Sequence, residues 1–223
     1  MNISELKQKI KDFLFPPKCV FCRRIIEEDG VCARCQRELP FRTNTEVFDD
    51  IRSVDEAYSC LYYEGNVRNA LLRYKFGGLV GYADTFSDYL EKCISEKLAG
   101  RFDILSWVPL SPNRLKKRGY DQARLLAEGV CERLADGTKP VKTLRKCRNA
   151  SPQSRQTTLA KRRSNILGAY EPMSVDISGK RIILIDDILT TGSTVSECAR
   201  ILKSAGAEKV YVVTIAKTRA RKK

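Results

Sequence analysis

The chain contains no histidine among its 223 residues. That absence removes every mechanism that needs an imidazole near neutral pH: Ser-His-Asp and Cys-His nucleophile pairs, and any metal site with a histidine ligand. No G-x-x-x-x-G-K-[ST] occurs, so a hydrophobic strand ending in acids has no phosphate loop to complete a Walker-type site. No G-x-G-x-x-G follows a predicted strand, which leaves dinucleotide binding without support. Basic segments interleaved with aromatics, the pattern of a single-strand stacking groove, are also missing. No apolar run reaches the length of a membrane span. The first residues, Met1 to Leu14, are too rich in Lys, Asp and Glu for a signal peptide, so a cytoplasmic protein is expected.

What is abundant is positive charge. Lys and Arg number 41 against 27 Asp and Glu, a net charge of +14 that points to anionic partners: phosphorylated substrates, nucleic acid, or both. Surplus lysine that merely keeps the surface soluble is the competing explanation. The length leaves room for one α/β domain of ordinary size and a small appendage.

The most informative stretch is Arg181 to Thr194. An apolar, β-branched run, Ile182 to Ile185, reads as a strand buried on both faces that stops at Asp186 and Asp187. Thr190, Thr191, Gly192, Ser193 and Thr194 form a short polar turn, with Ser193 as the expected N-cap of a helix carrying Val195, Cys198, Ala199 and Leu202 on one face. Gly206 ends that helix, and Val210 to Ile215 reads as the next strand, completing a βαβ unit. Ligands on open α/β sheets sit beyond the carboxyl ends of the strands, where this turn lies. Its successive N–H groups, hydroxyls and helix dipole suit a phosphate. The two carboxylates suit vicinal hydroxyls, or a magnesium ion shared with the ligand. Together these fit a ribose 5-phosphate. A buried strand followed by a capped helix is the plainer alternative.

A second motif lies near the start: Cys19-x-x-Cys22, nine residues, then Cys32-x-x-Cys35. Two such knuckles bring four thiolates within reach of one tetrahedral ion. Zinc is the default, and an all-cysteine site is closed and structural. Disulfides are disfavoured in a reducing compartment. The other cysteines, Cys60, Cys93, Cys131, Cys147 and Cys198, sit among apolar neighbours and read as buried, inert thiols.

In chain order, Ile3, Leu6, Ile10, Phe13 and Leu14 form the stripe of a first helix, and residues 37–56 read as polar and irregular. The expected organisation is 1–40 as helix plus knuckle, 41–56 as linker and 57–223 as the main domain. Ala57 to Tyr63 predicts a strand and Val67 to Tyr74 a helix, closed by Lys75-Phe76-Gly77-Gly78, where paired glycines let backbone approach an anion. A helix over 80–98 and a strand at Ile104 to Val108 follow. Arg114, Lys117 and Arg118 lie after that strand on an expected loop, positioned for phosphate contact, and Asp121 is a candidate cap for the helix after it. Val141 to Arg145 reads as a strand, residues 151–166 as a mobile basic segment suited to closing over a ligand, and Lys217 to Lys223 as a basic tail.

The Arg181–Thr194 stretch resembles the PRPP-binding motif of type I phosphoribosyltransferases (PRPP, 5-phosphoribosyl 1-pyrophosphate). The whole chain resembles the ComF family of late competence proteins, through Lys75-Phe76-x-Gly78, the Val108-Pro109 to Arg118-Gly119-Tyr120-Asp121-Gln122-Ala123 segment and Gln156-Thr157-x-Leu159 to Arg162-x-x-Asn165. Asp121 stands where the family more often has Asn. The resemblance implies an α/β fold with a mostly parallel sheet flanked by helices, preceded by a small zinc knuckle. It implies PRPP with magnesium as ligand: Asp186 and Asp187 on the ribose hydroxyls, residues 190–194 on the 5-phosphate, and Lys75, Arg114 and Arg118 on the pyrophosphate, with Gly77, Gln156 and Arg162 as further binding positions. It also implies a part in DNA uptake, with single-stranded DNA and a ComF-operon helicase as expected partners. The alternative is a non-catalytic nucleotide- or single-stranded-DNA-binding partner of that helicase. Release of ammonia from glutamine is not expected, because the chain has no room for a glutaminase domain.

Overall fold

The computed structural model of the chain describes residues 16–42, 51–147 and 168–219. The expected first helix, the 151–165 segment with Gln156 and Arg162, and residues 220–223 of the tail lie outside the described residues.

Strand β5 (Arg181–Leu189) is central because its residues leave no polar face: Ile182, Ile183, Leu184 and Ile185 are fully buried. It pairs in parallel with β6 (Lys209–Lys217) on one side and β2 (Ile104–Trp107) on the other, and β1 (Glu56–Tyr62) adds to β6. The sheet therefore runs β1-β6-β5-β2, all parallel. Alternation along β5 divides the core. Ile183 and Ile185 pack with residues of α2 (Gly65–Phe76), α3 (Tyr82–Lys97) and α5 (Gln122–Leu134), while Ile182 and Leu184 face α6 (Ser193–Ser204). Burying each such side chain contributes about 1.5–3 kcal/mol.

Several local expectations are corrected. β5 does not stop at the acid pair but continues through it to Leu189, held by pairing of Asp186 with Thr214 and Ile188 with Ala216. Gly192, at φ 72°, is the N-cap of α6, and Ser193 is its first helical residue. The basic segment is not a loop but a short helix, α4 (Pro112–Arg118), started by a proline and closed by Gly119 at φ 84°. The strand expected at Val141 to Arg145 is β3 (Leu144–Lys146), paired antiparallel with β4 (Tyr170–Pro172) in a separate ribbon. Asp121 caps α5, its carboxylate accepting from the Arg124 and Leu110 amides.

The knuckle ends in α1 (Ala33–Glu38) and docks on the main core. Phe21 meets Phe86 edge-on, with ring centres 6.1 Å apart, and Arg73 of α2 donates to the Val20 and Phe21 carbonyls at 2.9 and 2.8 Å. Beyond the knuckle, Phe41 bridges to Leu61 of β1, and Val54 is buried in the second core cluster. Of the remaining cysteines, Cys131 and Cys198 are buried as expected, but Cys147 is exposed at the end of β3. Among the described residues no helix is long and apolar enough to cross a membrane.

Candidate functional site

A cavity of about 890 Å³ opens at the carboxyl end of the parallel sheet. Its lining brings together Asp186, Asp187, Lys75, Arg114, Arg118, Thr190 and Thr194 from β5, α2, α4 and the 190–194 turn. The other three turn residues, Thr191, Gly192 and Ser193, are not in the lining. Neither is Gly77, which caps α2 while Gly78 reaches the cavity.

Because neighbouring strand residues point to opposite faces, the two acids face different surroundings. Asp187 follows Ile183 and Ile185 toward α2, where its Oδ1 lies 2.8 Å from Lys75 Nζ. Only 3% of Asp187 is exposed, and its Oδ2 is buried with no hydrogen-bond partner among the described residues. Such an orphaned acceptor is costly unless something completes it. Asp186 follows Ile182 and Leu184 to the other side, where its Oδ1 accepts from the Asp187 amide at 2.8 Å. Burial, and then the charge of Asp187, push the Asp186 carboxyl up to about 8, with Lys75 acting in the opposite direction.

The turn is built for close approach. Gly192 adopts a left-handed conformation, and a Cβ there would come within 3.1 Å of Ile51. Thr191 Oγ1 contacts Ser193 Oγ at 2.9 Å, so those hydroxyls brace the turn. Thr191 Oγ1 also accepts from the Ser193 amide at 3.4 Å, and the Gly192 cap has no side chain to take up the N–H groups that follow, beside Thr194.

The cations are unequal. Lys75 is neutralised by Asp187, whereas Arg114, Lys117, Arg118 and Lys146 form no salt bridge with any described carboxylate. Arg118 lies over the exposed Phe76 ring at 5.0 Å and donates to the Gln122 side chain. Lys146 and Tyr170, from the β3–β4 ribbon, complete the wall and were missed by sequence reasoning. They stand directly opposite each other across the ribbon, with Lys146 Nζ 2.8 Å from the Tyr170 hydroxyl. Loss of hydration, and then Arg114, lower the ammonium's proton affinity. No motif marks this pair; only the register of two strands flanking a long segment reveals it.

In the knuckle, the four Sγ atoms of Cys19, Cys22, Cys32 and Cys35 all lie within 4.8 Å of one another. The Cys32 amide points at Cys19 Sγ and the Cys35 amide at Cys32 Sγ, each at 3.4 Å. Four thiolates with backbone N–H support are the donor set of a closed, structural zinc site.

Residues 120–223 match the phosphoribosyl transferase domain family, and residues 10–46 match the double zinc ribbon domain family. The chain is 31% identical over 157 residues to the competence protein ComFC of Streptococcus pneumoniae, covering 69% of this chain and 64% of that protein. It is 28% identical over 188 residues to the competence protein ComFC of Bacillus subtilis, covering 84% and 72%. It is 31% identical over 116 residues to the DNA utilization protein YhgH of Escherichia coli, covering 52% and 50%. The chain thus spans less than two thirds of the Streptococcus protein's length and half of the Escherichia protein's. Both domain types are present in this order, a zinc ribbon joined to a phosphoribosyltransferase-type α/β domain, and with the similarity to the competence proteins this is consistent with the ComF family.

Proposed function

We propose that the cavity binds PRPP or a related ribose 5-phosphate together with magnesium, and that this binding serves DNA uptake. The observation that carries the reading is the convergence of Arg114, Lys117 and Arg118, which have no carboxylate partner among the described residues, with two acids, one of which has a buried oxygen that no described group satisfies. An anionic ligand that also offers hydroxyls or a cation satisfies both at once. The 5-phosphate belongs at the turn and the first-turn amides of α6. The ribose hydroxyls belong at Asp186 and Asp187, and the pyrophosphate at Lys75, Arg114 and Arg118. The orphaned Asp187 oxygen and the oxygen-only donor set fit magnesium, which would neutralise charge on the departing pyrophosphate. The names of the relatives, competence and DNA utilization proteins, support the biological setting.

In the transferase form of this reading, a nucleophile forms a bond to C1 while the C1–O bond breaks and pyrophosphate leaves with the electron pair. Catalysis is then positioning and electrostatic stabilisation by the cations and amides. Titration calorimetry with PRPP and magnesium, followed by an assay for pyrophosphate release with candidate amines, tests it. Wild type should bind. Asp186→Asn with Asp187→Asn should weaken binding by about a hundredfold or more, since two charge-assisted hydrogen bonds are lost. Equal affinity in the double variant would remove the pentose site.

The raised pKa of Asp186 adds a pH signature. Its proton is held more tightly in the folded chain than in the unfolded one, so folding stability falls as pH rises from about 4 toward 8. Ribose hydroxyls donate to the ionised form, so PRPP affinity should rise over the same range and level off above about 8. Asp186→Asn, neutral throughout, should lose the step that wild type shows, and an identical pH profile in the two proteins would refute the assignment.

A second reading has its own support. The exposed Phe76 with Arg118 on its face supplies the aromatic–cation pairing that the sequence order conceals, and single-stranded DNA stacks on such platforms. Steeply salt-dependent DNA binding that survives the double Asn substitution would favour it.

A further inference from the structure

The cavity holds one more group than its motif residues explain. Tyr170 packs with Ile182 and Leu184 on the Asp186 side, where the Asp186 charge acts on both it and Lys146, whereas Lys75 pairs with Asp187 on the other side. Tyr170 is buried, and its hydroxyl oxygen accepts from Lys146, which leaves the phenolic proton free to be donated. Lys146 retains two further N–H donors. The pair therefore turns two Lys146 N–H groups and the Tyr170 O–H toward the cavity. Neither residue has a carboxylate partner among the described residues, and Lys146 is fixed by its contact with the Tyr170 ring, 4.6 Å from the ring centre. A preformed corner with three converging N–H and O–H donors recognises an oxyanion.

If Lys75, Arg114 and Arg118 hold the pyrophosphate, the attacking group approaches C1 from the side opposite the leaving group. On that basis we infer that Lys146 and Tyr170 form a second oxyanion subsite, which holds a carboxylate or phosphate carried by the attacking molecule. The acceptor is then an anionic nucleophile and not a neutral base or free ammonia. This rests on the pentose reading above. In the step itself, the acceptor's lone pair bonds to C1, pyrophosphate departs with the C1–O electrons, and the acceptor's proton passes to solvent.

The test uses the full chain, zinc-loaded, saturated with PRPP and magnesium, with inorganic phosphate as the oxyanion probe. Wild type should take up phosphate in the presence of PRPP. Lys146→Met should weaken that uptake about tenfold or more, with PRPP affinity and melting temperature unchanged. Lys146→Arg should retain it. Tyr170→Phe, which keeps the ring but removes the donor, should weaken it to a smaller extent. Phosphate displaced by PRPP, together with weaker PRPP binding in Lys146→Met, would assign the pair to the leaving group and overturn the acceptor role. Unchanged phosphate binding in Lys146→Met would overturn the subsite altogether. A wild type that binds phosphate through Lys146 but never PRPP would remove the acceptor role by removing its premise, and so separates that failure from failure of the pair itself.

Discussion

Replacing Cys19 by Ser should abolish stoichiometric zinc and lower stability by several kcal/mol. The knuckle is too short to hold a core of its own, so its metal-binding free energy is its folding free energy, about 10–16 kcal/mol in isolated zinc-finger peptides. The effect does not stop at the knuckle. Val20 and Phe21 are buried against α2 and α3, and Phe21 covers Phe86 and Tyr89. Uncovering Phe21 alone costs about 1.5–3 kcal/mol. Arg73 would lose both of its carbonyl acceptors in the same event. Because Arg73 and Lys75 sit on the same last turn of α2, loosening one end of that contact disturbs the cation at the cavity floor. The expected results are zero zinc by elemental analysis, a lower melting temperature, and the same shift in wild type treated with a strong chelator. A Ser variant that keeps wild-type melting and loses no metal would mean that the four thiols are not a metal site.

The two motifs were legible because each is local. Four cysteines at fixed spacing, and an apolar run followed by two acids and a Thr/Gly/Ser turn, are each recognisable within a few residues. The βαβ unit around β5 was equally open to reading, since strand, helix and strand follow one another with clear periodicity. What the sequence hid depends on tertiary contacts. β5 runs on past Ile185 because β6 supplies partners for Asp186 and Ile188, a fact no propensity encodes. The 114–118 cations form a helix because Pro112 starts one and Gly119 stops it, although the stretch reads as a charged loop. The Lys146–Tyr170 pair spans 24 positions and exists only in the β3–β4 register. Likewise, Phe76 meets Arg118 only after folding, which is why a search for basic and aromatic residues in sequence order found no stacking surface.

Removing Lys75 should be among the most destabilising single changes in the domain, and removing its partner at the same time should reverse the loss. Asp187 is 3% exposed and has one satisfied oxygen, which Lys75 alone among the described side chains supplies as an ion pair. Lys75→Met keeps the apolar stem but leaves a buried carboxylate without compensation, a change that costs about 3–5 kcal/mol. Adding Asp187→Leu removes the stranded charge and fills the space with carbon, so the double variant should recover to near wild-type stability or above it. Urea unfolding of wild type, both single variants and the double variant gives the coupling directly. A Lys75→Met cost below about 1 kcal/mol would show a pair that behaves like a solvated surface bridge. The double variant should fold well and bind no PRPP. That combination separates the two roles of the pair: an acid kept in the interior with an oxygen left unsatisfied lowers the stability of the empty protein, and a ligand that supplies the missing partner regains it as affinity.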